Sequence, residues 1–127
     1  MGMRNMQLEN VQVEVEKIMP AITLYFPSKD KYGKTIRAKQ RNDLLTYAIE
    51  RMTHTFGGTT TTEGIGTYKN GDGIMAEKVT VITSFTNNFD DGLKNIMESL
   101  AATIKANLDQ GDVMYSVTEG YIKGIDA

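Results

Sequence analysis

The sequence contains no cysteine, no tryptophan, a single histidine and two prolines among its 127 residues. Without cysteine the chain forms no disulfide scaffold, no thiolate-ligated zinc or iron–sulfur site and no cysteine nucleophile. His54 is the only histidine, so a cluster of histidine ligands within one chain is also excluded. The sequence therefore indicates neither a bound metal nor a cofactor.

Long hydrophobic runs are missing as well. No apolar run approaches the ~20 residues that span a bilayer. The first six residues, Met-Gly-Met-Arg-Asn-Met, lack the apolar stretch of a secretory signal. We therefore expect a cytoplasmic protein with no membrane association. The length and the 40% share of hydrophobic residues predict one α+β domain over residues 1–127, with residues 1–6 as a flexible N-terminus.

Strand-like and helix-like hydrophobic patterns follow one another along the chain. Alternation of apolar and polar residues marks strands, and apolar residues three or four apart mark helices. The predicted strands cover residues 7–19, 21–26, 59–68, 74–85 and 113–122. The predicted helices run from about residue 36 to residue 56, and from Asn88 to Gly111. Pro20 separates the first two strands or marks a bend in one long edge strand, because proline has no N–H to donate to a neighbouring strand.

Local signals support these boundaries. Thr35 is the predicted N-cap of the first helix, and Gly57-Gly58 is its predicted end. The segment Asn70-Gly71-Asp72-Gly73 predicts a tight hairpin, because these residues tolerate positive φ. The resulting order, β-α-β-β-α-β after one extra N-terminal strand, is typical of a ferredoxin-like fold. We expect two helices on one face of a mainly antiparallel sheet.

The two faces of that sheet should differ in what they contact. Alternation predicts that Glu77, Val79, Val81 and Phe85 point towards the helices. The predicted open face carries Thr23, Tyr25, Lys78, Thr80 and Ile82. A mixed face of this kind favours self-association into a homodimer or larger oligomer. RNA-binding sheets display adjacent aromatic residues, and the predicted open face offers only Tyr25.

A dense basic segment is the strongest functional signal. Six cations lie between residues 29 and 41 against one acid, Asp30, so the segment carries +5 and the rest of the chain −7. The cations precede a helix and occupy its first turns, where the helix dipole is already positive. Such an arrangement favours binding of a compact anion. The acidic remainder would repel a long nucleic acid, so we do not expect one as a partner.

The anion-binding hypothesis names its ligand residues. Lysines of the loop supply point charges, two arginines one turn apart suit bidentate phosphate contacts, and two tyrosines suit stacking on a base. These residues are Lys29, Lys31, Lys34, Arg37, Arg41, Tyr25 and Tyr32. The hypothesis is a small oligomeric protein that captures or senses a phosphate-bearing small molecule such as a nucleotide. The alternatives for the segment are a solvated basic face or a contact with an acidic surface of another subunit.

Two further interpretations remain open at this point. A carboxylate such as that of Glu77 is unusual on the predicted covered face. Its presence there suggests a small enzyme with a glutamate general base. Its substrate would lie between the helices and the hairpin, with Glu63 or His54 assisting. The ordinary alternative is that Glu77 points outwards or pairs with a lysine. The other interpretation is a structural or protein-interaction subunit whose basic loop docks on an acidic partner.

Overall fold

Four strands and two helices make up the computed structural model, which describes residues 14–30, 32–108 and 113–125. Numbered in chain order, the first three elements are β1 (Glu14–Pro27), α1 (Ala38–Phe56) and β2 (Thr60–Asn70). The others are β3 (Gly73–Phe85), α2 (Asp91–Leu108) and β4 (Met114–Ile125). Neither of the helices in these residues is long and apolar enough to cross a membrane.

The strands form one sheet in the order β2-β3-β1-β4, and every neighbouring pair is antiparallel. Both helices cover one face, where they bury the even-numbered residues of β1 (Ile22, Leu24 and Phe26). The other side of this core consists of helix residues, among them Met52 of α1 and Met97 of α2. The predicted α+β fold with a ferredoxin-like topology is therefore confirmed.

The first two predicted strands are continuous wherever the structure describes them. β1 runs through Pro20, and it lies between β3 and β4, so the prediction of an edge strand was wrong. Proline is tolerated because the β1–β3 ladder begins only at Ala21, and the carbonyl of Pro20 accepts a hydrogen bond from Thr86 at 3.1 Å. The part of the predicted extra strand before residue 14 lies outside the described residues, as do residues 1–6.

Helix α1 begins two residues later than predicted. Thr35 is not its cap, because Thr35 forms a β-bridge with Lys29. Ile36 is buried, and its N–H donates to the carbonyl of Ser28 at 2.9 Å. The helix therefore starts at Ala38 after Arg37, which forms no side-chain capping hydrogen bond. Its predicted end is confirmed, since Gly57 has φ 94° and donates to the carbonyl of Thr53.

Helix α2 also begins later than the sequence suggested. The cap is Asp90 rather than Asn88, because Oδ1 of Asp90 accepts a hydrogen bond from the Leu93 N–H at 2.9 Å. A carboxylate at this position also interacts favourably with the positive end of the helix dipole. The predicted end of α2 at Gly111 lies outside the described residues.

The β2–β3 hairpin closes where it was predicted. Asn70 pairs with Gly73, which leaves a two-residue turn in which Gly71 has φ 62°. The hairpin continues past the end of β1, because β1 ends opposite Val79 whereas β3 begins six residues earlier. The edge of β3 in this projecting part of the hairpin is therefore not paired with β1. The candidate site lies beside the end of β1.

The predicted faces of β3 are reversed. Thr80 and Ile82 are fully buried under the helices, whereas Val79, Val81 and Phe85 lie on the open face. Alternation predicted the wrong face because Val79, Val81 and Phe85 form the more apolar set, whereas the buried set contains the polar residues Thr80 and Ser84. The burial of polar side chains explains the choice, because the Thr80 hydroxyl donates to the Glu63 carboxylate and a second buried hydroxyl, on Ser84, donates to the carbonyl of Gly58 at 2.8 Å.

Candidate functional site

A cavity of about 310 Å³ lies on the open face of the sheet, next to the end of β1. This size is at the lower end of the range for small-molecule sites, which is roughly 300–1,000 Å³. All four strands contribute to its walls, because the residues of the open face lie side by side across the sheet. The lining residues are Tyr25, Pro27, Gly66, Thr67, Tyr68, Glu77, Val79 and Met114.

Two tyrosines stand at opposite ends of this cavity. Tyr25 of β1 pairs with Val81, whereas Tyr68 of β2 pairs with Met75, six residues away along β3. That offset corresponds to roughly 20 Å of strand. Oη of Tyr25 lies 3.5 Å from Oγ of Ser116. The two rings therefore line the cavity at different positions along the sheet, with the residues between them as its floor.

Glu77 lines the cavity and is half-buried. Its Oε2 accepts a hydrogen bond from Oγ of Ser28 at 3.4 Å, and this bond links it to the start of the basic loop. Because Glu77 lies on the open face, the predicted position between the helices and the hairpin was wrong. Glu63 does not lie with it: Glu63 pairs with Thr80 on the helix side of the sheet. His54 is exposed in the last turn of α1 and does not line the cavity.

The loop between β1 and α1 is organised by its one acidic residue. Oδ1 of Asp30 accepts hydrogen bonds from the N–H groups of Tyr32 at 2.9 Å and Lys34 at 3.0 Å. The backbone of Asp30 also bonds to Lys34 and Gly33, and Gly33 has φ 79°. The only negative charge of the segment is therefore occupied in holding the turn that presents the lysines.

The cations of the segment fall into different environments. Lys34 and Arg37 are exposed. Lys39 forms an ion pair of 2.9 Å with Asp43, and this hydrogen bond and the carboxylate charge raise the pKa of its ammonium group. Lys29 is half-buried next to the start of the loop. Lys31 lies outside the described residues, and Tyr32 is an exposed residue of the same loop.

Arg41 points towards the sheet rather than away from it. Its Nε donates to the carbonyl of Pro27 at 2.7 Å, and its Nη2 donates to Oγ1 of Thr80 at 2.8 Å. The guanidinium also lies over the ring of Phe26, at 5.3 Å from the centroid. Arg41 therefore fastens the start of α1 to the end of β1. Its predicted role as a ligand residue stays a prediction.

The start of α1 is suited to an anion in a second way. The helix has no side-chain cap, and its first turn contains no acidic residue. The first N–H groups of a helix have no partner within the helix, and together with the dipole they attract negative charge. The basic loop begins close to the cavity in the chain, because Lys29 follows Pro27 by two residues, or about 7 Å of backbone, and the loop ends at the start of α1.

The sequence matches no protein-family model, and no curated protein is similar to it in sequence. Solved structures share its fold. A phage SAM lyase in complex with S-methyl-5'-thioadenosine superposes with a TM-score of 0.58 at 9% identity, over 94% of this chain and 97% of that chain. A phage SAM lyase in the apo state gives 0.52 at 12% identity, over 87% and 90%. CutA from Synechococcus elongatus gives 0.49 at 10% identity, over 91% and 86%.

Sequence reasoning missed several residues of the cavity. It placed Val79 under the helices, and it assigned no role to Tyr68 or Met114. It also assigned no role in a site to Gly66, through which the β2–β3 register runs without a bulge. The signal that was available is the alternation of Gly64, Gly66 and Tyr68 on one face of β2.

Proposed function

We propose that this protein is a small oligomeric binding protein for a phosphate-bearing nucleotide, which it captures or senses at the open-face cavity. The observation that carries the proposal is the position of the cavity. Pro27 of its lining is followed two residues later by Lys29, the first cation of the basic loop, and this loop leads to the uncapped start of α1 at Ala38. The base and sugar occupy the cavity, and the phosphate lies at the loop.

The phosphate end of the site rests on Lys34 and Arg37. Both side chains are exposed, and Arg37 directly precedes the uncapped turn of α1. Arginine suits bidentate contacts with a phosphate, and lysine adds a flexible point charge. Lys29, at the start of the same loop, raises the local positive potential, and the sequence adds Lys31 two residues later.

The base end of the site rests on the aromatic and apolar lining. Tyr25 and Tyr68 offer faces for stacking, and the Glu77 carboxylate accepts hydrogen bonds from a sugar hydroxyl or an amino group. The phage SAM lyase shows that a protein of this fold holds a nucleoside, S-methyl-5'-thioadenosine. That nucleoside has no phosphate, so the phosphate in our proposal depends on the cations of this chain alone.

Substitution of Lys34 and Arg37 by alanine should weaken nucleotide binding. We expect the double variant to bind AMP and ATP about 10- to 100-fold more weakly in titration calorimetry at low salt, because charge-assisted contacts to phosphate are lost. Adenosine should bind the variant and the unmodified protein alike. The matched control is Lys39→Ala, which removes a cation of the same segment that is paired with Asp43.

Three results would count against the proposal. The first is an unmodified protein that binds none of AMP, ATP, adenosine and S-methyl-5'-thioadenosine. The second is a control variant that loses as much AMP affinity as the double variant. Equal loss of adenosine affinity in the double variant would place the effect outside a phosphate contact.

A second candidate function is catalysis by Glu77. The observation in its favour is that the carboxylate lines the cavity and is held by Ser28. If Glu77 is a general base, Glu77→Gln should lower turnover of the bound nucleoside or nucleotide by about 10²- to 10⁴-fold, with binding changed far less. Chromatography of a ligand incubated with each protein measures this. An unmodified protein that leaves every bound ligand intact would exclude the enzyme.

Self-association is part of the proposal because large apolar side chains remain exposed in the described residues. Ile65 and Ile74, on the other face of the projecting hairpin from the cavity, are 74% and 79% exposed. A second copy that covers them would remove apolar surface from water. Light scattering at micromolar concentration should give a mass of at least two chains, and a mass of one chain, 14.1 kDa, would contradict it.

A further inference from the structure

Two glycines lie on the open face of β2 without a backbone reason. Gly64 and Gly66 pair with Val79 and Glu77, so both face the same side of the sheet as Tyr68. Neither has a positive φ, unlike Gly33, Gly57 and Gly71. Glycine in the middle of a strand is unfavourable, because it loses more conformational freedom on folding and has no side chain to pack.

No steric conflict requires these glycines either. A Cβ added to Gly66 would meet no atom nearer than the carbonyl oxygen of Glu77 at 4.0 Å, so the position has open space above it. A Cβ added to Gly64 would make an ordinary contact with the Val79 side chain at 3.7 Å. Gly66 lines the cavity and Gly64 does not. The bare backbone at Gly66 therefore serves the cavity above the strand rather than the strand itself.

We infer that Gly66 is a specificity-determining position that lets a flat heteroaromatic ring lie against the sheet in the open-face cavity. A ring needs a floor without a protruding side chain, and Gly66 supplies one opposite Glu77, between the two tyrosines. The inference rests on the proposed nucleotide site and names its ligand class. The ligand carries a planar base, and a sugar phosphate without a base leaves the floor of the cavity empty.

The test is Gly66→Val, with Gly64→Ala as the matched control in the same strand. Valine would fill the floor while favouring the strand conformation. We expect Gly66→Val to bind AMP about 10- to 200-fold more weakly, the range for a misfit of one methylene in an apolar pocket. Its affinity for ribose 5-phosphate should be unchanged, and its midpoint of urea unfolding should not fall. The control should bind AMP within about twofold of the unmodified protein.

The outcomes separate this inference from the proposed function. If the unmodified protein binds AMP and Gly66→Val binds it equally well, the inference fails and the nucleotide site stands. An equal loss of ribose 5-phosphate affinity also overturns it, because valine would then act through the phosphate loop. If Gly66→Val has a lower mass by light scattering and an unchanged AMP affinity, the exposed backbone at Gly66 is instead assigned to a contact with another copy of the chain. If the unmodified protein binds no nucleotide, both proposals fail.

Discussion

Replacing Ile82 by alanine is expected to lower the free energy of unfolding by about 2–5 kcal/mol. Ile82 is fully buried between the sheet and the helices, where it belongs to one cluster with Leu24, Met52 and Met97. The substitution removes apolar burial and leaves a cavity that the surrounding side chains fill only in part. Urea unfolding followed by circular dichroism measures the change.

The neighbouring residue provides the matched control. Val81 lies on the opposite, open face of β3 and is only half-buried in the chain. Val81→Ala should cost about 1 kcal/mol or less. The reversed order, with Val81→Ala more damaging than Ile82→Ala, is what the sequence-based assignment of the faces predicts. That result would contradict the arrangement of the sheet described here.

Arg41→Ala is the second substitution with a large expected effect. It removes hydrogen bonds to the carbonyl of Pro27 and the hydroxyl of Thr80, and it removes the cation over Phe26. Hydrogen bonds from a charged donor in a partly buried site are worth more than neutral ones. We expect the free energy of unfolding to fall by about 2–3 kcal/mol, measured by urea unfolding in the absence of ligand.

Two controls separate this positioning role from charge. Arg41→Lys keeps the cation, but one ammonium group does not reproduce the guanidinium contacts with both Pro27 and Thr80, so most of the stability loss should remain. Arg37→Ala removes an exposed arginine one turn away and should change stability by less than about 0.5 kcal/mol. Full stability in Arg41→Ala, or equal losses in the two alanine variants, would show that Arg41 does not fasten α1 to β1.

Much of the fold was predictable because its signals are local. The positive φ at Gly57 and Gly71 and the apolar stripes of the helices follow from residues close together in the chain. The start of α1 was missed because a contact outside the helix decided it: the N–H of Ile36 donates to the carbonyl of Ser28. The alternation in β3 also did not show which face the helices cover. The burial of Thr80 depends on its hydrogen bonds with Arg41 and Glu63, which belong to other elements of the fold.

The candidate site, too, was predictable from the sequence only in part. The sequence alone determined the order of strands and helices and the concentration of positive charge between residues 29 and 41, because both depend on residue types along a short stretch. Only the tertiary structure decided which side chains lie together. Pairing of four strands brought Tyr25, Tyr68 and Gly66 to one cavity and turned Arg41 inwards, because strand register and long-range hydrogen bonds join residues that are far apart in the chain.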